Sequence, residues 1–421
     1  MKDDTIGTYL KNRSITGPWH IEGCGEAGFA GAVVIPSLAE FENLFTTLAS
    51  LAANPADILV RFLVLVVVNH REDASLADKK NNYLTLTRLK TGSPDLYPLR
   101  LAWVDAASPG LEMPVKGGGV GLARKIGLDL ALNRLDNSSS RSVLVCLDAD
   151  TLVEPSYLSA LDRHFRGTTA GGATIAFRHR LGRSPEEQHA IDRYELFLRH
   201  YIVGLRITGS PYAFHTVGSA MACSIEAYVK AGGMNNREAG EDFYFLQHLF
   251  RTSGVAQVQG TVVRPSPRPS HRVPFGTGRS VFRWLGGDER AITFYRPECF
   301  RILGNWLAIV GKGLERGPDE IICEAETVSV HLADFLEDAR FAETWARLRR
   351  NHRTPDRLLR GFHEWFDGLK TMKLIHHLSA REFPRCGPEE AIPGLLSMVG
   401  VESAENPGAQ LATLRKIEDG D

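Results

Sequence analysis

The run Phe62-Leu-Val-Leu-Val-Val-Val68 constrains the fold more than any other stretch of the chain. Its residues are apolar at consecutive positions and rich in β-branched side chains, the pattern of a strand covered on both faces. Extended back to Ile58 the run is interrupted by Arg61. Even so it reaches only about half the length that crosses a bilayer. Val33-Val34-Ile35-Pro36 reads as a second strand of the same kind. Between the two, Leu38, Phe41, Leu44, Phe45, Leu48 and Leu51 recur at helical spacing, and Asn54-Pro55 ends the pattern. Leu101 to Val104 gives a third strand, Val120 to Leu132 a second helix, and Ser142 to Leu147 a fourth strand. Such alternation predicts an α/β, Rossmann-like domain whose mostly parallel central sheet carries helices on both faces.

At 421 residues the chain is long enough for about two to three folding units. After Pro297 the pattern turns charged and helical, with apolar faces built from Phe335, Phe341, Trp345, Phe362, Trp365 and Phe366. The expected organisation is an extension over 1–30, an α/β domain over 31–296, a helical subdomain over 297–385 and a loose, Gly-, Pro- and acid-rich tail over 386–421. Arg264 to Pro274 is too proline-rich for regular structure. The formal net charge of -1 gives no global attraction to nucleic acid, so an anionic ligand must be held by local arginines and backbone amides. Six dispersed cysteines and a polar N-terminus without a signal-like apolar stretch predict a reduced, cytoplasmic setting. No transmembrane span is expected, and peripheral membrane contact stays open.

An open α/β sheet binds ligands beyond the carboxyl ends of its strands, and Asn69, Asp105 and Asp148 stand at such ends. Leu144-Val-Cys-Leu-Asp148-Ala-Asp150 runs an apolar strand straight into two carboxylates. Hard cations such as Mn²⁺ or Mg²⁺ favour a few carboxylate oxygens with the remainder from phosphate and water, so Asp148 and Asp150 are candidate metal ligands. The bland alternative is a solvated strand end whose aspartates cap the next helix. Gly117 to Gly127 places Gly119 and Gly121, and then Arg124 and Lys125, at a helix start, a pattern suited to phosphate or base contact or to a simple flexible connector. Glu241 and Asp242 follow Gly240 as an acidic pair, good for a general base and equally good for a helix N-terminus. Arg272 and Arg279 match the bidentate geometry of a diphosphate.

Four of these segments together resemble the inverting family 2 glycosyltransferases of GT-A fold, over about residues 31 to 285. Pro36-Ser37-Leu-Ala-Glu40 is similar to their P-x-x-x-E entry, which implies that Pro36, Ser37 and Glu40 cradle the nucleotide base. Val66 to Asp73 stands where the family has V-D-D-G-S, with Asn69 in place of the usual base-contacting aspartate and Asp73 as its substitute. Gly117 to Gly127 is similar to the G-x-x-x-A-R-N-x-G helix, and Gly232 to Asp242 to the G-G-F-x(n)-E-D element. The resemblance implies a UDP- or GDP-sugar donor and a hydroxyl acceptor. It also implies Asp242 as the base, with Glu241 exchanging roles or holding the acceptor, and His271 as a third metal ligand. Ser280 stands where processive synthases carry the glutamine of Q-x-x-R-W, so single addition is expected. A retaining transferase of the mannosylglycerate type on the same fold, or a catalytically idle binding scaffold, are the alternatives. The histidines of the helical region show no i, i+4 pairing and receive no chemistry.

Overall fold

The computed structural model describes the chain apart from residues 1, 93, 137, 139, 140, 271–275, 405, 420 and 421, and apart from the side chains of 2–4 and 419. The chain divides into two compact units. One comprises Met1–Arg180 and Thr216–Ser266, the other Leu181–His215 and Pro267–Asp421.

The first unit is built on a nine-stranded sheet. Its strands are β1 (Ile21–Gly23), β2 (Gly31–Ser37), β3 (Phe62–Asn69), β4 (Arg100–Ala106), β5 (Val143–Cys146), β6 (Leu152–Val153), β7 (Gly172–Phe177), β8 (Met221–Ser224) and β9 (Val255–Arg264), in the order β1-β4-β3-β2-β5-β8-β7-β9-β6. The pairings make β2, β3, β4, β5, β7 and β9 run one way and β1, β6 and β8 the other. The α/β class and the mostly parallel sheet expected above are therefore present. β3 is buried along its whole length, as the uninterrupted apolar run requires. The helix Val120–Ala131 packs directly on β2 and β3, because Gly127 carries no Cβ to meet Val34 and Val67. The helix after β2 starts at Phe41, later than the apolar spacing suggested, since Leu38-Ala39-Glu40 forms a turn with Ala39 in the left-handed region at φ 52°. Short β1 was not legible in the pattern; it pairs antiparallel to β4.

The second unit is helical. Its core gathers Trp306, Phe341, Trp345, Phe362 and Phe366, all fully buried, with Trp306 edge-on to Phe341, Phe362 and Phe366. The long helix Pro185–Ile207 belongs to this unit, although residues 181–215 read from sequence as part of the sheet domain. Residues 386–421, expected to be a loose tail, instead form the helices Pro388–Ser397 and Pro407–Asp419, whose Ile392, Leu395, Leu396, Leu411 and Leu414 join the core. Proline at the first helical position starts these helices instead of breaking them. No helix among the described residues is long and apolar enough to cross a membrane, and the six cysteines form no disulfide.

Candidate active site

The parallel register brings the carboxyl ends of β2, β3, β4 and β5 side by side: Ser37 pairs with Val68, Val68 with Asp105, and Asn69 with Ala106. Leu147 continues the ladder by donating to the Val34 carbonyl, so Asp148 emerges at the same edge. Three polar atoms there are shut off from solvent without a hydrogen-bond partner: Ser37 Oγ, Asn69 Oδ1 and His70 Nε2. Each such atom in a folded protein costs about 1–3 kcal/mol, which is tolerated where a ligand supplies the missing partner.

Asn82 arranges this edge. It lies fully buried on the helix Leu76–Thr91, where its Nδ2 donates to the Asn69 carbonyl at 2.9 Å and contacts His70 Nδ1 at 3.0 Å, while its Oδ1 accepts from Ala39 N at 2.8 Å. Asn81 accepts from Phe41 N at 3.0 Å and so caps the helix after β2. Because Asn82 donates to His70 Nδ1, the neutral ring carries its proton on the orphaned Nε2. Burial is the main cause that pushes the His70 pKa down, with Lys79 adding to it, so the ring stays neutral near pH 7. Nothing in the sequence distinguishes Asn82 from its neighbour.

Deeper, the charges are unequal. Arg124 is buried, with its Nη2 at 2.6 Å from Asp148 Oδ1 and its Nη1 paired with Glu241. Gly218 is placed against this guanidinium, where any Cβ would collide with it. Burial opposes the Arg124 charge, but Asp148 and Asp242 outweigh it and hold the pKa above its usual value. Asp242 sits in the first turn of the helix Glu241–Ser253, which Gly240 enters at φ 71°. Its pKa is raised chiefly by burial and further by Asp148, against the lowering effect of Arg124 and of its 2.7 Å bond from Phe243 N. One guanidinium thus faces Asp148, Glu241 and Asp242. Burial also pushes the neighbouring Cys146 thiol up to about 12, leaving it inert.

Other expected site residues are placed as follows. Glu40 is buried and accepts from Asn43 Nδ2 at 2.9 Å, and Pro36 lies within β2. Asp73 is paired with Arg71 at 2.9 Å at the surface. Asp105 caps its own turn by accepting from Ala107 N and Ser108 N. Gly119 and Gly121 are pressed against protein, since a Cβ at Gly119 would come within 2.6 Å of Glu238 Cα and one at Gly121 would meet the Arg237 carbonyl. The glycines thus admit the loop before Glu241, and Gly117 N donates to Glu238 Oε1. Lys125 points to the N-terminal helix: its Nζ lies 2.8 Å from Asp129 and 3.1 Å from Tyr9 Oη. The expected phosphate contacts of Gly119, Gly121 and Lys125 therefore have their places taken by internal packing and an internal ion pair. Arg180, not singled out from sequence, reaches the Asp150 carbonyl at 3.3 Å. Arg279 lies on the helix Thr277–Leu285 of the second unit, its guanidinium 5.9 Å from the Phe282 ring centre. His271 and Arg272 lie outside the described residues.

No family model and no curated protein matches the chain. Among solved structures, it is similar to S. aureus TarS 1-349 at a TM-score of 0.36 and 11% identity, covering 74% of this chain and 90% of that one. It is similar to the mannosyltransferase PcManGT from Pyrobaculum calidifontis, in complex with GDP-Man and Mn2+, at 0.37 and 15%, covering 90% and 95%. For M. tuberculosis glucosyl-3-phosphoglycerate synthase the values are 0.33 and 16%, covering 68% and 84%. Likenesses at these scores assign neither a residue nor a reaction to this chain.

Proposed function

We propose that the chain is a glycosyltransferase that moves a sugar from a UDP- or GDP-linked donor to an acceptor hydroxyl, with inversion and by single addition. The observation that supports this most is the surplus of negative charge beyond the parallel strand ends, where, among the described residues, Arg124 is the cation that faces Asp148, Glu241 and Asp242. Buried carboxylates without matching cations are costly, and a divalent ion shared with a diphosphate balances them. The donor set is hard oxygen, and Asp148 keeps a side chain that is 38% exposed, so the residues suit Mn²⁺ or Mg²⁺. Asp148 and Asp150 would hold the ion. Bound there, it would neutralise charge on the departing nucleoside diphosphate.

The remaining roles belong to the chain's own groups. Ser37, Asn69 and His70 offer a hydroxyl, an acceptor and an N–H donor that lack partners, a set that fits the mixed donor and acceptor edge of a nucleobase. Asp242 would accept the proton of the attacking hydroxyl. Glu241, buried and held by Arg124, would position that guanidinium and so act through it.

The test is calorimetric titration of UDP and GDP with and without Mn²⁺, followed by a nucleotide-sugar panel and NMR assignment of the product anomer. One nucleotide is expected to bind more tightly with metal and to give an inverted product. Equal affinity with and without Mn²⁺ for both nucleotides would sink the proposal, and a retained anomer would replace inversion by retention.

A further inference from the structure

The helical unit contains a second set of ligand-type side chains, brought together from two helices. His331 and Asp334 lie about one turn apart on the helix Val330–Asp338, which Ser329 opens by accepting from Leu332 N. Leu332, Phe335 and Leu336 bury the apolar side of that helix. His377 comes from the helix Gly368–Arg381, with its ring centre 5.7 Å from that of Phe335 and 6.4 Å from that of His331. One ligand atom from each of His331, Asp334 and His377 lies within 4.8 Å of the other two.

The ring nitrogens make this more than proximity. His331 Nδ1 and His377 Nε2 are both shut off from solvent, and neither makes a hydrogen bond. Leaving two buried imidazole nitrogens unpaired is costly. Protonating His331 would pair it with Asp334, whose Oδ2 is 3.5 Å away, but would leave His377 Nε2 without a partner beside a positive charge. A cation that accepts two nitrogen lone pairs and one carboxylate oxygen satisfies all three groups together.

We propose that His331, Asp334 and His377 bind a zinc-type divalent transition metal, with water in the fourth position. Two imidazoles and one carboxylate suit zinc better than magnesium or calcium, which prefer oxygen throughout. Ligand atoms around tetrahedral zinc stand about 3.3 Å apart, given zinc–nitrogen bonds of about 2.0–2.1 Å. The His331–Asp334 edge, at 3.5 Å, is already close to that, and small rotamer changes close the rest. Asp334 is exposed and provides the path of entry. Once bound, the ion fastens the helix Val330–Asp338 to the helix Gly368–Arg381. This site shares no residue with Asp148, Asp150 or Asp242 and stands apart from the proposed reaction.

The experiment uses the full-length chain without an affinity tag, stripped by a chelator and titrated with Co²⁺ and then Zn²⁺. The strong visible bands of four-coordinate cobalt are expected to reach saturation at one equivalent and to vanish as zinc displaces it. His331→Gln and His377→Gln should each weaken zinc binding by about 100-fold or more, because a lost ligand weakens binding beyond the effect of a lost outer partner. Asp148→Asn should keep the cobalt bands. Asp334→Asn, at an exposed position, should also weaken binding, and it decides the matter if either histidine variant fails to fold. Only weak six-coordinate cobalt bands, or zinc stoichiometry and affinity unchanged in all folded variants, would overturn the proposal.

Discussion

Both units bury charged side chains, and they balance them differently. In the sheet unit Arg124 faces Asp148, Glu241 and Asp242. In the helical unit Arg199 bonds Glu195 at 2.9 Å and also pairs with Glu418, while Arg415 reaches Glu195 at 2.5 Å and His215 lies 2.9 Å from Glu418. Burial alone would raise the Glu418 pKa, but His215 and Arg199 outweigh it and hold the carboxyl below its usual range. In the second, Arg199 and Arg415 stand against Glu195 and Glu418, and the cluster joins the helices Pro185–Ile207 and Pro407–Asp419. In the first, among the described residues, one guanidinium stands against three carboxylates. Buried ion pairs are weak evidence for stability in general, so the informative difference is the ratio of described cations to carboxylates in each cluster.

The strongest way to break this contrast is through the proposed base. Asp242→Asn should lower kcat by up to about 10⁴-fold, in the range of general-base losses, with the circular dichroism spectrum unchanged. Turnover that survives would remove Asp242 from the mechanism. Next come the two arginines. Arg124→Met and Arg199→Met should each destabilise the protein by about 3–5 kcal/mol, the usual result of stranding a buried partner. Mn²⁺ should restore much of the loss in Arg124→Met and none in Arg199→Met, as read from denaturant melts with and without the ion. Equal responses would erase the distinction drawn here.

His200 offers a smaller effect in the helical unit. Its ring is fully buried between Phe294 and Phe300, has no hydrogen bond, and burial lowers its pKa to about 3. Below the unfolded value of about 6.5 the unfolded chain binds a proton that the folded chain refuses, so stability falls as pH drops from about 6.5 towards 3. At pH 5 this amounts to about 2 kcal/mol, and His200→Leu should flatten that acid limb in melts taken across the pH range. Smallest is the pH effect at Asp242. Its raised pKa means that the folded state keeps the proton above the ordinary aspartate range, so base function and Mn²⁺ affinity should both rise with pH through that window. A kcat/KM profile with its acid limb at or below the ordinary aspartate value would contradict this.

Much of the frame was legible because consecutive apolar runs and helical spacing are local signals, as at Phe62–Val68 and Val120–Ala131. The two C-terminal helices were missed because a Gly-, Pro- and acid-rich composition suggests a loose tail, although Pro388 and Pro407 stand at first turns, where proline pre-sets the helical φ. Within the site, residue types at strand ends pointed to Asp148 and Asn69, but not to what surrounds them. The burial of Arg124 depends on Glu241 and Gly218, and the packing of Gly119 and Gly121 depends on the loop Asn235–Glu238, all remote in sequence. Lys125 is different: Asp129 lies four residues on, and that i, i+4 spacing could have indicated its partner in advance. His331, Asp334 and His377 gave no such cue, since the third member arrives from another helix.

One amide has reach beyond its own hydrogen bonds. Asn82 is the rivet common to two walls, the turn at Ala39 and the strand end at Asn69 and His70. Reshaping either wall would therefore disturb its opposite, so a redesign has to treat the two, with Asn82, as a single piece.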